Sequence, residues 1–224
     1  SSRVAHMAQD AMGVHVAQPF ASIADRAQVT RNILEDALRG RPMNIYEQGL
    51  DKTAANFVAL SPTSFVERSA EVFGDLEAVV HGARRYRWRE TRDRAARLAG
   101  ALRGFGVGRG TTVSTVLHNT PEMVEAHYAV PALNAVLNTI NTRLDAALIA
   151  WQLHHCESAV LIADRELAPT VGAALAILRE QHGRVPIVID VCDSEYRGAG
   201  ERVGAHEYEA LLAASEPVAQ LAGP

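Results

Sequence analysis

Residues 119–164, NTPEMVEAHYAVPALNAVLNTINTRLDAALIAWQLHHCESAVLIAD, decide the fold of this 224-residue chain. Apolar residues at helical spacing predict helices over residues 121–134 and 145–155. Short apolar runs predict strands over residues 136–139 and 159–163. Because a helix separates the two strands, we expect them to be parallel and joined by a right-handed crossover. The stretch therefore predicts an α/β fold with a parallel sheet and crossover helices.

The flanking sequence continues this alternation. A helix is expected over residues 166–181 and a strand over residues 186–190, whose continuously apolar run is typical of a strand covered on both faces. On the N-terminal side, a helix over residues 90–105 precedes a strand over residues 112–117. The chain as a whole predicts a three-layer core with helices on both sides of the sheet.

An N-terminal β-hairpin precedes this layer. A short apolar run, a turn at His81 and Gly82, and the alternation of Tyr86 and Trp88 with arginines predict two half-buried strands. The arginine-rich run over residues 84–94 (RRYRWRETRDR) mixes both charge signs, and the chain carries a formal net charge of −4. We interpret the run as a solvated hairpin edge and helix face, and this charge balance predicts no nucleic-acid partner.

Composition indicates a globular chain, with 48% hydrophobic and 21% charged residues. The two cysteines, Cys156 and Cys192, form no CxxC pair, which favours a reducing compartment. The sequence contains neither an apolar run of membrane-spanning length nor the order of segments of a signal peptide. We therefore predict a cytoplasmic protein without a transmembrane segment.

The glycine-rich run over residues 104–110 imitates a dinucleotide-binding loop. In such a loop the glycines follow a strand and open a helix, so that the pyrophosphate meets the helix N-terminus. Here they follow a predicted helix and open a strand, and we interpret them as a helix stop and turn. The sequence also lacks a G-x-S-x-G elbow, a P-loop and an H-E-x-x-H pair.

No metal site is predicted. His154, His155 and Cys156 are neighbours on one helix, where successive side chains point about 100° apart and do not converge on one ion. The acidic residues of the segment after residue 190, Asp190, Asp193 and Glu195, lack the glycine and distal glutamate of a calcium loop, and we interpret them as a polar loop.

Several segments in order give the chain a family resemblance over residues 43–217. They are MNIYEQGL, HGARRYRW, GVGRGTTVSTV, NTPEMVEAHYAVPALNAVLNTINTRLDA and SAVLIADRE. Together they resemble the N-terminal portion of an AMP-forming acyl-CoA synthetase, of the fatty-acid branch of the adenylate-forming ligases. The resemblance implies an incomplete N-terminal domain of that fold. It also implies a parent enzyme that adenylates a carboxylic acid with ATP and Mg, then passes the acyl group to CoA.

The resemblance divides the chain into three parts. Residues 1–42 are interpreted as an extension, in which residues 1–6 are a vector remnant and residues 24–38 an amphipathic helix. Residues 43–217 are the partial synthetase subdomain. Residues 218–224 are predicted to be a frayed tail.

The resemblance leaves this chain with no catalytic residue. The family's phosphate loop and catalytic lysine have no counterpart, and the only lysine is Lys52. One site is implied, at Asn141, Thr142 and Arg143, which correspond to a loop near the CoA nucleotide. Arg143 would pair with a CoA phosphate; the alternative is that it packs or pairs beside the start of the helix at Asp145.

One departure concerns Arg87, where the family usually has a threonine that caps the next helix. The loss of that hydroxyl is expected to cost about 1 kcal/mol of stability. On this interpretation the chain is a truncated acyl-CoA synthetase, inactive alone.

Another function class stays open, a standalone α/β module that binds a nucleotide or a partner without catalysis. A parent enzyme for another acid, such as an aryl acid, also stays open. An open sheet edge and an exposed apolar face predict self-association.

Overall fold

The fold is known from a computed structural model of the protein. The structure describes residues 53, 55–57, 60–198 and 200–221. The extension over residues 1–42, including the helix expected over residues 24–38, lies outside the described residues. The chain divides into two compact units, Ser1–Phe57 and Val58–Pro224, and the second carries the fold presented here.

Six α-helices, seven strands and a 3-10 turn (Arg165–Leu167) make up the described part of the chain. In chain order the helices and strands are α1 (Pro62–Val72), β1 (Glu77–His81), β2 (Arg84–Arg87), α2 (Trp88–Gly104), β3 (Thr112–Val116), α3 (Pro121–Ala132), β4 (Val136–Thr139), α4 (Ala146–His155), β5 (Val160–Asp164), α5 (Ala168–His182), β6 (Ile187–Val191), β7 (His206–Glu207) and α6 (Tyr208–Ala214). None of these helices is long and apolar enough to cross a membrane.

The main sheet confirms the predicted α/β class. Its five strands are all parallel, in the order β4-β3-β5-β6-β7. Every residue of β3 and of β5 is buried. Val160 and Ile162 of β5 pack into one core with α2, α3 and α6, whereas Leu161 and Ala163 pack into a second core with α4 and α5. The predicted three layers follow from this alternation of side chains.

A line of polar side chains crosses the interior beside the sheet. The hydroxyls of Ser114 on β3 and Ser158 lie 2.5 Å apart, and both residues are buried. The amide of Asn138 on β4 donates to the Ser114 hydroxyl at 3.0 Å. A one-residue slip of β4 against β3 would turn these groups to the other face, so the line helps to fix the register.

The predicted N-terminal hairpin is present and leads directly into α2. Strands β1 and β2 pair antiparallel through a two-residue turn, where Gly82 adopts a left-handed φ of 55°. The first residue of α2 is Trp88, two residues before the expected start. As anticipated, Arg87 provides no side-chain cap, although the carboxylate of Glu90 accepts a hydrogen bond from the Arg87 backbone N–H at 2.8 Å.

The glycine-rich run is a helix stop and turn, as predicted. Helix α2 ends at Gly104, and the next strand begins at Thr112. Gly106 and Gly110 between them have φ values of 82° and 79°, which favour glycine. The run therefore serves to reverse the chain between a helix and a strand.

The C-terminal segment packs onto α2, and for residues 218–221 the prediction of a frayed tail was wrong. Val218 is buried and donates its backbone N–H to the Ala96 carbonyl at 3.0 Å. Leu221 is fully buried, and its N–H donates to the Glu67 carboxylate at 2.7 Å. Without this segment, the alanine-rich face of α2 would be open to water. Residues 222–224 lie outside the described residues.

We expect Gly100→Ala to destabilise the protein by about 1–3 kcal/mol, because a Cβ at this position of α2 would lie 1.9 Å from the Glu216 carbonyl oxygen. Chemical unfolding measures the change. Gly104→Ala is the matched control, since nothing lies within 4 Å of its added methyl group. Equal stability of the two variants would contradict the packing of the C-terminal segment on α2.

Candidate functional site

The carboxyl ends of the parallel strands form the edge where a site is expected. In the sheet, β4 lies on one side of β3 and β5 lies on the other side. In open α/β sheets, ligands bind outside the carboxyl ends of strands at such a switch point. At this edge His118, after β3, approaches Glu166, after β5, with 3.5 Å between Nε2 and Oε2.

The predicted loop of Asn141, Thr142 and Arg143 follows β4 at this same edge. The Asn141 side-chain oxygen accepts a hydrogen bond from the Arg143 backbone N–H at 2.9 Å. The Asn141 carbonyl accepts from the N–H of Leu144 at 3.2 Å, which closes a turn. Asp145 then caps α4 by accepting from the Leu148 N–H at 2.8 Å. The loop is therefore shaped by its own hydrogen bonds.

The Arg143 side chain is exposed. It makes no ion pair or side-chain hydrogen bond with any residue that the structure describes. Asp145 uses its Oδ1 for the helix cap. The alternative for Arg143, packing or pairing beside the start of α4, stays a prediction. A guanidinium that is exposed and unpaired here can donate two parallel hydrogen bonds to a phosphate or carboxylate.

Asp164 at the end of β5 is a buried carboxylate with spare hydrogen-bonding capacity. Its Oδ1 accepts from the Glu166 N–H at 2.9 Å, while its Oδ2 has no partner among the described residues. Burial raises the pKa of Asp164 above its ordinary value. Arg165 and Cys192 line the small pocket beside it.

The polar loop after β6 is held by protein groups, as its interpretation as a polar loop implies. Asp193 pairs with His81 at 2.9 Å, and Glu195 accepts from the Ala83 N–H at 3.1 Å. The loop is thus joined to the turn of the hairpin. For Asp190 the interpretation as a loop residue was wrong, because it lies within β6, is fully buried, and accepts from the N–H groups of Val203 and Gly204 before β7.

The histidines of α4 turn towards different aromatic partners. His154 stacks on His182 of α5 with ring centroids 3.5 Å apart, and His155 stacks on Trp151 at 4.8 Å. Within the described residues, no group of three His, Cys, Asp or Glu side chains is placed to hold a metal ion.

Two arginines of the run over residues 84–94 make buried ion pairs, so the prediction of a solvated face was wrong for them. Arg84 contacts Glu122 of α3 at 2.5 Å, and Arg94 contacts Glu125 of the same helix at 2.6 Å. Both glutamates are only 1–2% exposed. A buried carboxylate without a paired charge is strongly destabilising, so the two glutamates account for the position of both arginines.

Helix α6 completes this charge cluster. The Tyr208 hydroxyl donates to Glu125 at 2.7 Å, and Glu209 lies 2.6 Å from Arg94. Burial raises the pKa of Glu125 to about 7, although the Arg94 guanidinium opposes the shift. The hydrogen bond from Arg94 lowers the pKa of the half-exposed Glu209. The sequence signal for this cluster was the pair of acidic residues three positions apart on an otherwise apolar helix.

The AMP-binding enzyme family profile matches residues 66–219. The peroxisomal acetate/butyrate–CoA ligase of Arabidopsis thaliana is 39% identical over 175 residues, which cover 75% of this chain and 31% of that protein. An acetate–CoA ligase of Humulus lupulus is 37% identical over 175 residues, with coverage of 75% and 31%. The chain thus spans 31% of the length of these curated relatives.

Solved structures show the same fold. A benzoate CoA ligase from Burkholderia xenovorans LB400 matches with a TM-score of 0.60 and 24% identity, over 72% of this chain and 30% of that one. An anthranilate CoA ligase in complex with anthranoyl-AMP matches with a TM-score of 0.64 and 20% identity, over 76% and 31%. At these identities the likeness concerns the fold alone.

We expect Glu125→Gln to gain stability relative to the wild type as the pH rises from about 5 to 8. A carboxyl whose folded pKa is raised contributes stability below its unfolded pKa of 4.5, and this contribution is lost as the pH rises through about 7. The glutamine amide does not ionise. The unfolding free energy of the variant minus that of the wild type should therefore increase by about 1 kcal/mol or more over this pH range.

Urea unfolding at pH 5 and at pH 8 measures this difference. Glu209→Gln is the matched control, because the lowered pKa of Glu209 contributes stability that is present at both of these pH values and is lost only as the pH falls below the unfolded pKa of 4.5. Its difference from the wild type should therefore be the same at pH 5 and at pH 8. A Glu125→Gln difference that is the same at both pH values would contradict the raised pKa.

Proposed function

This chain belongs to the AMP-binding enzyme family, and we propose that it contributes part of an enzyme that converts a carboxylic acid, ATP and CoA to an acyl-CoA. The names of the curated relatives as CoA ligases support this proposal. The chemistry would proceed through an acyl adenylate with release of pyrophosphate, followed by transfer of the acyl group to the CoA thiol. A short fatty acid, such as the acetate or butyrate named for the Arabidopsis relative, is the proposed substrate.

The observation that carries the role of this segment is the exposed guanidinium of Arg143 at the carboxyl edge of the sheet, which pairs with none of the residues that the structure describes. We propose that it binds a phosphate of CoA. Asn141 would hold the loop in shape, through its hydrogen bond to the Arg143 N–H. Thr142, which is half-buried, would offer a hydroxyl beside the same phosphate.

Magnesium is expected to accompany ATP in the whole enzyme. Mg²⁺ in ATP-dependent enzymes is bound mainly through the phosphates, with one or two carboxylates and water, and no described residue is assigned to it. We therefore assign ATP and Mg to the enzyme as a whole and derive no step through the metal. The role proposed for these residues is to bind and orient the CoA nucleotide.

Two other properties belong to the same proposal. We propose a cytoplasmic location from the cysteine usage, although the Arabidopsis relative is named as peroxisomal.

We also propose self-association through strand β4. Val136 on this strand is 44% exposed, and β4 pairs with a neighbour on only one side within the described sheet.

We expect no acyl-CoA formation from residues 1–224 when they are incubated with ATP, Mg, CoA and acetate or butyrate. The shorter chain is expected to be inactive because its only lysine, Lys52, does not correspond to the family's catalytic lysine. The same assay on a version of the protein extended to the length of its relatives should give acyl-CoA. Release of pyrophosphate and formation of the thioester are the measurements. Turnover by the shorter chain would contradict the assignment, and inactivity of both with every acid would favour a non-catalytic binding module.

In a version of the protein extended to the length of its relatives, we expect Arg143→Ala to raise the apparent KM for CoA about 10-fold, because a charge-assisted hydrogen bond contributes about 1.5–3 kcal/mol. The KM for ATP should not change. Arg109→Ala is the matched control, since Arg109 is also an exposed arginine, in the turn before β3 at the opposite edge of the sheet. An unchanged KM for CoA in the Arg143 variant would refute the site.

A further inference from the structure

Helix α4, which starts just after the Arg143 loop, presents an aromatic surface that the contacts described so far do not use. Its buried residues are Ile149, Ala150 and Leu153. On the other side, Leu148 is 47% exposed and Trp151 is 57% exposed. Residues three and four positions apart are neighbours on one face of a helix, so Leu148, Trp151 and His155 form a continuous stripe.

The ring of Trp151 has a defined orientation. Its centroid lies 4.8 Å from that of His155, and the two ring planes differ by only 10°. The imidazole covers one side of the indole, and more than half of the Trp151 side chain still faces solvent. A large flat apolar ring that is held in place in this way can receive another flat ring at a small cost in conformational entropy.

The aromatic stripe lies close to the Arg143 loop along the chain and in space. At a rise of about 1.5 Å per residue, Trp151 is about 9 Å along the helix from its cap, Asp145. Side chains on a helix tend to lean towards its N-terminus, which for Trp151 is the side of Leu148 and the loop. An exposed arginine in the loop is thus followed, eight residues later in the chain, by an exposed aromatic ring on the helix that the loop leads into.

The charges around the stripe suit an anionic ligand. Helix α4 (AALIAWQLHH) contains no Asp or Glu, and its last turn carries His154 and His155. Two acids flank the helix: Asp145 accepts a hydrogen bond from the Leu148 N–H and is thus engaged, and Glu157 is exposed two residues after His155. Proteins bind nucleotides by combining basic groups that contact phosphates with aromatic rings on which the bases stack.

We propose that Trp151, supported by His155, is the surface on which the adenine ring of CoA stacks while Arg143 contacts a phosphate. The inference rests on the proposed function, since it assumes that CoA binds at the Arg143 loop. It adds a residue that recognises the base. Trp151 touches the nucleotide end of CoA only, so it affects binding and leaves the chemical step unchanged.

The experiment uses the intrinsic fluorescence of the chain, which has two tryptophans, Trp88 and Trp151. In a Trp88→Phe background, Trp151 is the only reporter, and titration with CoA is expected to quench its emission. Trp151→Leu in the wild-type background should weaken CoA about five-fold in calorimetry, which is about 1 kcal/mol. Trp151→Phe keeps an aromatic face and should retain most of the affinity.

The probe 4′-phosphopantetheine, which lacks the adenine nucleotide, separates the base from the rest of CoA. Its affinity should be the same for wild type and Trp151→Leu. One result would overturn the stacking surface and leave the proposed function standing. In that result, CoA binding depends on Arg143, is unaffected by Trp151→Leu and causes no quenching. If neither this chain nor a version extended to the length of its relatives bound CoA, both the stacking surface and the proposed function would be overturned.

Discussion

The pairing of Glu125 with Arg94 inside the protein is the interaction on which the arrangement of the helices depends. Glu125 lies on α3, Arg94 on α2, and the tyrosine that donates to the same carboxylate, Tyr208, lies on α6. Removing one member of a buried ion pair leaves an uncompensated charge in a medium of low dielectric constant. The neighbouring pair of Arg84 with Glu122 attaches the hairpin to α3 by the same principle. Tyr86 joins the two pairs, since the guanidiniums of both arginines lie over its ring at 5.4 and 4.8 Å.

The features that were predictable from sequence are those set by neighbours along the chain. The alternation of strands and helices, the hairpin turn at Gly82 and the glycine stop after α2 depend on local spacing and backbone preferences. The burial of Arg84 and Arg94 depends instead on carboxylates that are 38 and 31 residues away. Arg85, Arg87 and Arg89 in the same run are exposed, so composition alone could not separate the two groups. For the same reason α6 and the packing of Leu221 were missed.

The candidate site shows the same division. That the Asn141 loop would lie at the carboxyl edge follows from the parallel order of the strands, and its position could be inferred from sequence. That the Arg143 guanidinium has no partner in the described part of the chain depends on where the surrounding acids point, which only the folded structure reveals. Trp151 was also hidden in the sequence, because the apolar residues of α4 occur on both sides of the helix and the crossing over the sheet decides which side is covered.

The contact between Glu67 and the Leu221 backbone closes a span of 154 residues, and this has a consequence for the order of folding. A chain that emerges from the ribosome N-terminus first can form the hairpin and begin α2 long before residue 221 exists. The face of α2 that Val218 and Leu221 cover must meanwhile stay open to water. Because contacts of such long sequence separation form slowly, we expect the nascent chain to pass through a state that exposes this alanine-rich face until residues 218–221 cover it.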